Sequence, residues 1–146
     1  MGLFDRLFRR PAPTAPADSG SSGRRVQAIT RDTLDLIIEM AKQAHPNEMG
    51  ASLRAEGGVI TEIVLVPGTI GGDAHAFLPL HALPYDRSVV GTVHSHPSPW
   101  PIPSDADKQL FNAFGHTHLI IASPYTHESW RAYDQNADDL SLEIVD

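Results

Sequence analysis

The stretch Val89-Val90-Gly91-Thr92-Val93-His94-Ser95-His96 predicts a β-strand that ends in two histidines. Its run of apolar, β-branched residues is typical of strands. On a strand, residues two positions apart point to the same face, so His94 and His96 present both imidazoles on one side. Two imidazoles placed in this way can supply two ligands of a metal site.

The sequence after this strand supplies a third ligand. A proline-rich loop, residues 97–103, leads to Ser104, and Asp107 follows at the start of an apolar-periodic segment that predicts a helix. Two imidazoles, one carboxylate and a fourth position left to water form a recurring catalytic zinc set, whereas structural zinc sites fill all four positions with protein ligands. We therefore predict one Zn²⁺ per chain, held by His94, His96 and Asp107.

A zinc site of this type also needs a base that takes a proton from water, and a glutamate elsewhere in the chain is the usual candidate. Of the glutamates that precede the histidines, three compete for the role, namely Glu48, Glu56 and Glu62. Glu56 falls in a predicted hairpin turn and Glu62 in the interior of a predicted strand.

The order of these residues resembles the JAMM motif of the MPN-domain metalloproteases: Glu48, His94-x-His96, seven residues, Ser104, two residues, Asp107. The resemblance implies that the two histidines and the aspartate bind zinc, that Glu48 activates the water, and that Ser104 helps to stabilise the tetrahedral intermediate. It extends from about residue 29 to the end of the chain. Residues 46–50 are similar to the family's Pro-x-Glu-x-x-Gly segment, with the glycine one residue early, and this spacing favours Glu48 over the other two glutamates.

The same resemblance implies a fold and an activity. The fold is a single-domain, cytidine-deaminase-like α/β fold with a mixed β-sheet flanked by helices. The activity is that of a deubiquitinase-like isopeptidase or peptidase of the small archaeal and bacterial type, which cleaves after the C-terminal Gly-Gly of ubiquitin-like proteins.

Two other functions stay open. One is an enzyme of the same family that releases cysteine or another small adduct from a sulfur-carrier protein. The other is a non-proteolytic partner-binding module similar to RadC, whose proteins share the His-x-His and Ser-x-x-Asp spacing.

Several of these residues also have ordinary structural interpretations. Ser104-x-x-Asp107 before an apolar run is a capping box, although a capping hydroxyl can still lie near a metal. His116-x-His118 repeats the spacing of the motif histidines, but no Ser-x-x-Asp follows it, so we interpret this pair as structural. Trp100, on the proline-rich loop, is either a substrate-binding side chain or a cover for the domain's own core.

Composition limits the remaining choices. The chain has 146 residues, of which 41% are hydrophobic and none is cysteine. This length suffices for one domain with its own core, and the lack of cysteine excludes a cysteine nucleophile and fits a reducing compartment. Neither a signal peptide nor a run of transmembrane length is found, so we expect a cytoplasmic protein.

Charge divides the chain into two parts. The net charge is −7, but residues 1–28 hold five arginines against two aspartates, a balance of +3, so the remainder carries −10. An acidic body is a poor nucleic-acid surface, and we expect no direct nucleic-acid binding.

Residues 1–25 are expected to form a flexible tail, and residues 26–146 the metalloprotease domain. Within residues 2–10, a helix would carry one apolar stripe beside arginines, which suits docking on a partner or peripherally on an anionic membrane. Residues 11–23 are rich in Pro, Ala, Gly and Ser and are typical of a linker.

The remaining pattern predicts a mixed sheet with helices packed on it. Thr30 is the expected N-cap of a helix whose apolar face would pack on the sheet. The predicted helices cover Arg31–Ala44 and Ser104–Phe114, and the predicted strands besides 89–96 cover Ala51–Ala55, Val59–Val66, Ala76–Leu80, His118–Ala122, Ser129–Tyr133 and Leu140–Val145.

Overall fold

A computed structural model describes residues 25–65 and 87–146 of the chain. Its helices are α1 (Arg31–Ala44) and α2 (Asp105–Ala113), and its strands are β1 (Ala28–Thr30), β2 (Gly50–Glu56), β3 (Val59–Val64), β4 (Val89–His96), β5 (Thr117–Ala122), β6 (Trp130–Tyr133), β7 (Asp139–Leu140) and β8 (Glu143–Val145). Neither helix is long and apolar enough to cross a membrane. The predicted strand Ala76–Leu80 and the predicted tail, apart from residue 25, lie outside the described residues.

Helix α1 begins and ends at the residues that the sequence predicts. The side chain of Thr30 accepts a hydrogen bond from the backbone N–H of Thr33 at 3.2 Å, which satisfies one of the free donors at the helix start. The helix ends at Ala44, before Pro46. Its buried face consists of Thr33, Leu34, Ile37, Ile38 and Ala41.

The eight strands form one mixed sheet in the order β7-β6-β5-β4-β2-β3-β1-β8. Strand β4 lies inside the sheet, antiparallel to β2 and parallel to β5. Because parallel neighbours need a crossover connection, α2 lies between β4 and β5 in the chain. This architecture confirms the predicted mixed sheet with flanking helices.

The prediction of a single strand over Leu140–Val145 is wrong. This segment divides into β7 and β8, which lie at opposite ends of the strand order. Leu140 and Glu143 are only three residues apart, so their Cα atoms lie within about 11 Å. The two edges of the sheet therefore approach each other, and the sheet curls towards closure. Strand β1, which the sequence pattern did not predict, pairs in parallel with both β3 and β8.

The sheet has different cores on its two faces. The larger core includes the buried face of α1 together with Val93 of β4 and Leu119 of β5. On the other face, Phe111 of α2 packs with Ile120 and Tyr133. Because side chains alternate along a strand, His94 and His96 lie on the face that α2 covers.

Candidate metal centre

Strand β4 fixes the two motif histidines at its carboxyl end. Six residue pairs join it to β5, the last of them His96 with Ala122, and Gly50 of β2 lies opposite His94. The side chain of His94 is fully buried, whereas that of His96 is 14% exposed. Of the two imidazoles, that of His96 is therefore the one that solvent reaches.

Helix α2 brings Asp107 to the histidines. Ser104 is its N-cap, and both bonds of the predicted capping box are present: Ser104 Oγ accepts from Asp107 N–H at 3.1 Å, and Ser104 N–H donates to Asp107 Oδ2 at 2.9 Å. Phe111, one turn further on, stacks on His118 with a ring-centroid distance of 4.3 Å. This packing fixes the helix so that the buried Asp107 carboxylate faces the histidines.

The three predicted ligands converge on one point. Nε2 of His94 lies 3.2 Å from Nε2 of His96, and the two nitrogens lie 3.0 and 3.1 Å from the carboxylate oxygens of Asp107. In a tetrahedral zinc site with ligand distances of about 2.0–2.1 Å, neighbouring ligand atoms are about 3.3–3.4 Å apart. The spacing of these atoms is close to three corners of that tetrahedron.

A backbone contact determines the tautomer of His96. Its Nδ1 lies 3.0 Å from the carbonyl oxygen of Trp100, which can only accept, so Nδ1 carries the hydrogen. The lone pair of the neutral ring is then on Nε2, the atom that faces His94 and Asp107. Metal-binding histidines are commonly oriented by a hydrogen bond of this kind.

The charges of the site favour a cation. Burial alone would raise the pKa of Asp107, but hydrogen bonds from His94 and His96 outweigh it, so this pKa lies well below its ordinary value and the carboxylate stays ionised. Burial would lower the pKa of His96, yet its bonds to Asp107 and Trp100, with the charges of Asp107 and Glu48, raise it above its ordinary value. These negative charges attract a proton in the absence of metal, and they would equally attract Zn²⁺.

Glu48 lies at the same end of the sheet, just before β2. The backbones of Met49 and Ser95 are bonded here, with Ser95 N–H donating to Met49 O at 2.9 Å. Oε1 of Glu48 is buried and meets no hydrogen-bond donor among residues 25–65 and 87–146. A buried carboxylate oxygen of this kind calls for a partner such as water or a substrate proton.

The two competing glutamates lie elsewhere. Glu56 is at the far end of β2, about 20 Å from Gly50 at the usual rise per residue. Glu62 on β3 is paired with Arg54 of β2 at 3.3 Å on the surface. Of the three candidates, Glu48 alone lies beside the histidines.

The donor set therefore fits one Zn²⁺. Two imidazole nitrogens and one carboxylate form the protein part of an open, catalytic type of site. Within the described part of the chain, no other group of three His, Asp or Glu side chains brings its ligand atoms together in this way.

The chain is similar to known proteins over most of its length. A family model for prokaryotic homologues of the JAB domain matches residues 30–133. The chain belongs to this family. A protein of Haloferax volcanii named a probable metalloprotease is 36% identical over 133 residues, which span 84% of this chain and 82% of the relative.

Two solved structures resemble this JAB domain. A JAB1/MPN domain protein from Archaeoglobus fulgidus is 38% identical, with a TM-score of 0.68, over 82% of this chain and 100% of the other. A structure described as a metalloprotease-like JAMM zinc site in the proteasome and signalosome is 36% identical, with a TM-score of 0.67, over 83% of this chain and 99% of the other. The predicted family, fold and zinc cofactor are thereby confirmed.

The other residues of the JAB domain that the sequence analysis considers are Ser104, Trp100, His116 and His118. Ser104 is exposed at the helix start, and the Trp100 side chain is 64% exposed, so it does not cover the core. His118 is buried, with Nδ1 at 2.8 Å from Thr92 Oγ1, and His116 bonds the neighbouring Thr117 hydroxyl. Both histidines of the second His-x-His pair therefore form hydrogen bonds within the fold, in agreement with a structural role.

Sequence reasoning missed Ser95 and Tyr125. The Ser95 hydroxyl accepts the backbone N–H of Met49 at 2.8 Å, and the Tyr125 hydroxyl bonds Nδ1 of His45 at 2.7 Å. Only Ser95 could have been identified from the sequence, because it lies between the two motif histidines.

Proposed function

We propose that this JAB-domain protein is a zinc-dependent isopeptidase or peptidase that hydrolyses the bond after the C-terminal Gly-Gly of ubiquitin-like proteins. One observation carries the proposal: the ligand atoms of His94, His96 and Asp107 converge beside Glu48, whose buried Oε1 has no donor among the described residues. The names of the relatives support a metalloprotease. The resemblance of the motif to that of JAMM proteases supports the Gly-Gly substrate.

Each residue has a defined task in this proposal. When bound, zinc supplies Lewis acidity and lowers the pKa of a coordinated water towards about 7. Glu48 accepts a proton from the attacking water as the new C–O bond forms, and passes it to the leaving amine as the C–N bond breaks. Ser104 keeps its own hydroxyl hydrogen while its oxygen accepts from Asp107, so it can donate to the oxyanion.

The loop after β4 offers a surface for a protein substrate. Trp100 and Ile102 are 64% and 60% exposed, while the carbonyl oxygens of Trp100 and Pro101 accept hydrogen bonds from His96 and Tyr133. The backbone of the loop is therefore fixed while two large apolar side chains face solvent. Rigid apolar groups of this kind are typical of protein-binding surfaces, and we assign Trp100 to substrate binding.

The test is cleavage of a defined substrate panel by zinc-loaded protein, with and without a chelator. The panel joins ubiquitin-like proteins to a reporter through a backbone amide or a lysine ε-amide after Gly-Gly, and includes a sulfur-carrier protein with a C-terminal cysteine adduct. Glu48→Gln keeps the size of the side chain and removes the base, so kcat should fall about 10²–10⁴-fold with zinc retained. Glu62→Gln, at a surface ion pair, is the matched control and should stay active.

The pattern of cleavage distinguishes the candidate functions. The proposal is supported if the chain cleaves protein fusions, a chelator stops this cleavage, and the Glu48→Gln variant no longer cleaves them. Turnover of the cysteine adduct alone would assign the chain to the sulfur-carrier reaction instead. Binding of the fusions without any cleavage would indicate a partner-binding module similar to RadC and overturn the proposal.

A further inference from the structure

Glu48 lies on a short connection between α1 and β2, and this connection is anchored on both sides. It spans only residues 45–49. The anchors come from parts of the chain that are distant in sequence, residues 95 and 125. Neither anchor belongs to the set of residues that the motif names.

The first anchor is Ser95, the buried residue between the two histidines. Its hydroxyl accepts the N–H of Met49 at 2.8 Å, and its own N–H donates to the Met49 carbonyl at 2.9 Å. Two hydrogen bonds thus fix the residue next to Glu48 on the strand that holds His94 and His96. The base and the metal ligands consequently share one rigid support.

The second anchor is Tyr125, in the turn after β5. Its hydroxyl bonds Nδ1 of His45 at 2.7 Å, and the two rings meet edge to face with centroids 5.6 Å apart. Tyr125 is buried and has a φ of 62°, a left-handed conformation that bulky residues rarely adopt. The surrounding structure holds this costly conformation, which places the hydroxyl against the end of α1.

Anchoring of the backbone matters because no described donor holds Oε1 of Glu48. The backbone of residues 45–49 sets the position of the Glu48 Cα atom and hence the region that its carboxylate can reach. Tyr125 is also close enough to sense this charge, since burial first and then Glu48 raise the pKa of the phenol. The two anchors hold the chain on either side of the proposed base, at His45 and at Met49.

We infer that Ser95 and Tyr125 are positioning residues that hold Glu48 in line with the metal ligands, an inference that rests on the proposed role of Glu48 as the base. Misplacement of a catalytic group by about 1 Å can lower a rate by about 10²-fold. Neither residue needs to contact substrate for this effect. Loss of either hydroxyl should lower kcat and leave KM and zinc content unchanged.

The experiment is a pair of double-mutant cycles on the zinc-loaded, full-length chain. Ser95→Ala and Tyr125→Phe remove one hydroxyl each and should lower kcat about 10–100-fold in the wild-type background. In the Glu48→Gln background, the same changes should alter the residual rate less than about twofold, since the group that they position is gone. Long single-turnover incubations measure that residual rate, and thermal melts and zinc content are recorded for each variant.

Two controls accompany the cycles. Ser95→Thr keeps the hydroxyl and should restore most of the activity. Ser52→Ala removes the hydroxyl of another buried serine, on β2, whose Oγ has no hydrogen-bond partner among residues 25–65 and 87–146, so kcat should not change.

The outcomes separate this inference from the proposed function. A fully active Glu48→Gln protein would overturn both. An inactive Glu48→Gln protein together with fully active Ser95→Ala and Tyr125→Phe would overturn the positioning role alone. Equal losses of kcat in both backgrounds would also overturn it, because the two hydroxyls would then act independently of Glu48.

Discussion

In the proposed function, one hydroxyl group of Ser104 has both a structural and a chemical task. Its oxygen accepts the backbone N–H of Asp107, and its hydrogen stays available to an oxyanion. Ser104→Ala should therefore lower kcat by roughly 10²–10³-fold and the free energy of unfolding by about 1 kcal/mol. Kinetics and thermal melts on the same sample measure the two effects separately.

Ser104→Thr is the matched control, because threonine keeps both the cap and the donor. It should retain activity and stability. A Ser104→Ala protein that loses stability but keeps kcat would reduce Ser104 to a helix cap.

At the scale of the elements, the contact between β4 and β5 depends on Gly91. A Cβ atom at this position would lie 1.7 Å from the carbonyl oxygen of Thr117, a backbone atom that cannot turn away. Gly91→Ala should therefore force the strands apart and lower the free energy of unfolding by about 3 kcal/mol or more. Denaturant unfolding at constant zinc measures the loss.

Gly57, in the β2–β3 turn, is the comparison for this variant. Its φ is +59°, and a Cβ atom added there would meet nothing within 4 Å, so Gly57→Ala should cost only about 1–2 kcal/mol. Equal losses for the two variants would contradict the close approach at Gly91.

The elements whose signals are local could be predicted from the sequence. Helix α1 has its N-cap Thr30 and its apolar face within 14 residues, and α2 has its capping box within four. The three metal ligands could also be predicted, because the spacing of the motif identifies residues that come together only in the fold. The Ser95–Met49 and His45–Tyr125 bonds join residues 46 and 80 positions apart, so these residues meet only in the assembled fold.

The division of residues 140–145 is also a property of the whole molecule. Each half resembles an ordinary strand, and the pattern contains nothing that assigns β7 and β8 to opposite ends of the sheet. Their separation follows from the curl that brings the two edges together, which is set by long-range packing. The boundary between a tail of residues 1–25 and a domain of residues 26–146 stays a prediction from composition.

Global stability should depend on pH through His118. Burial holds its pKa at about 4, below the ordinary value of 6.5, and nearby backbone carbonyls offset this only in part. The unfolded chain therefore binds more protons than the folded chain between these pH values, so stability is full above about pH 6.5 and falls by up to about 3 kcal/mol as the pH approaches 4.

His118→Asn keeps a polar group near Thr92 and removes this titration. Denaturant unfolding of metal-free protein from pH 7 to pH 4 should show a smaller loss of stability for the variant than for the wild type. The other titratable groups are present in both proteins, so their contributions cancel in the difference. Identical pH profiles of the two proteins would show that burial does not lower the pKa of His118.

The zinc content of the purified chain and of single variants, measured by elemental analysis after dialysis, tests the metal centre directly. We predict one zinc per wild-type chain and close to none for His96→Ala, because a site with three protein ligands loses most of its affinity with one of them. His116→Ala, a change in a histidine outside the site, should keep one zinc. Stoichiometric zinc in His96→Ala, or none in the wild type, would contradict a zinc site formed by His94, His96 and Asp107.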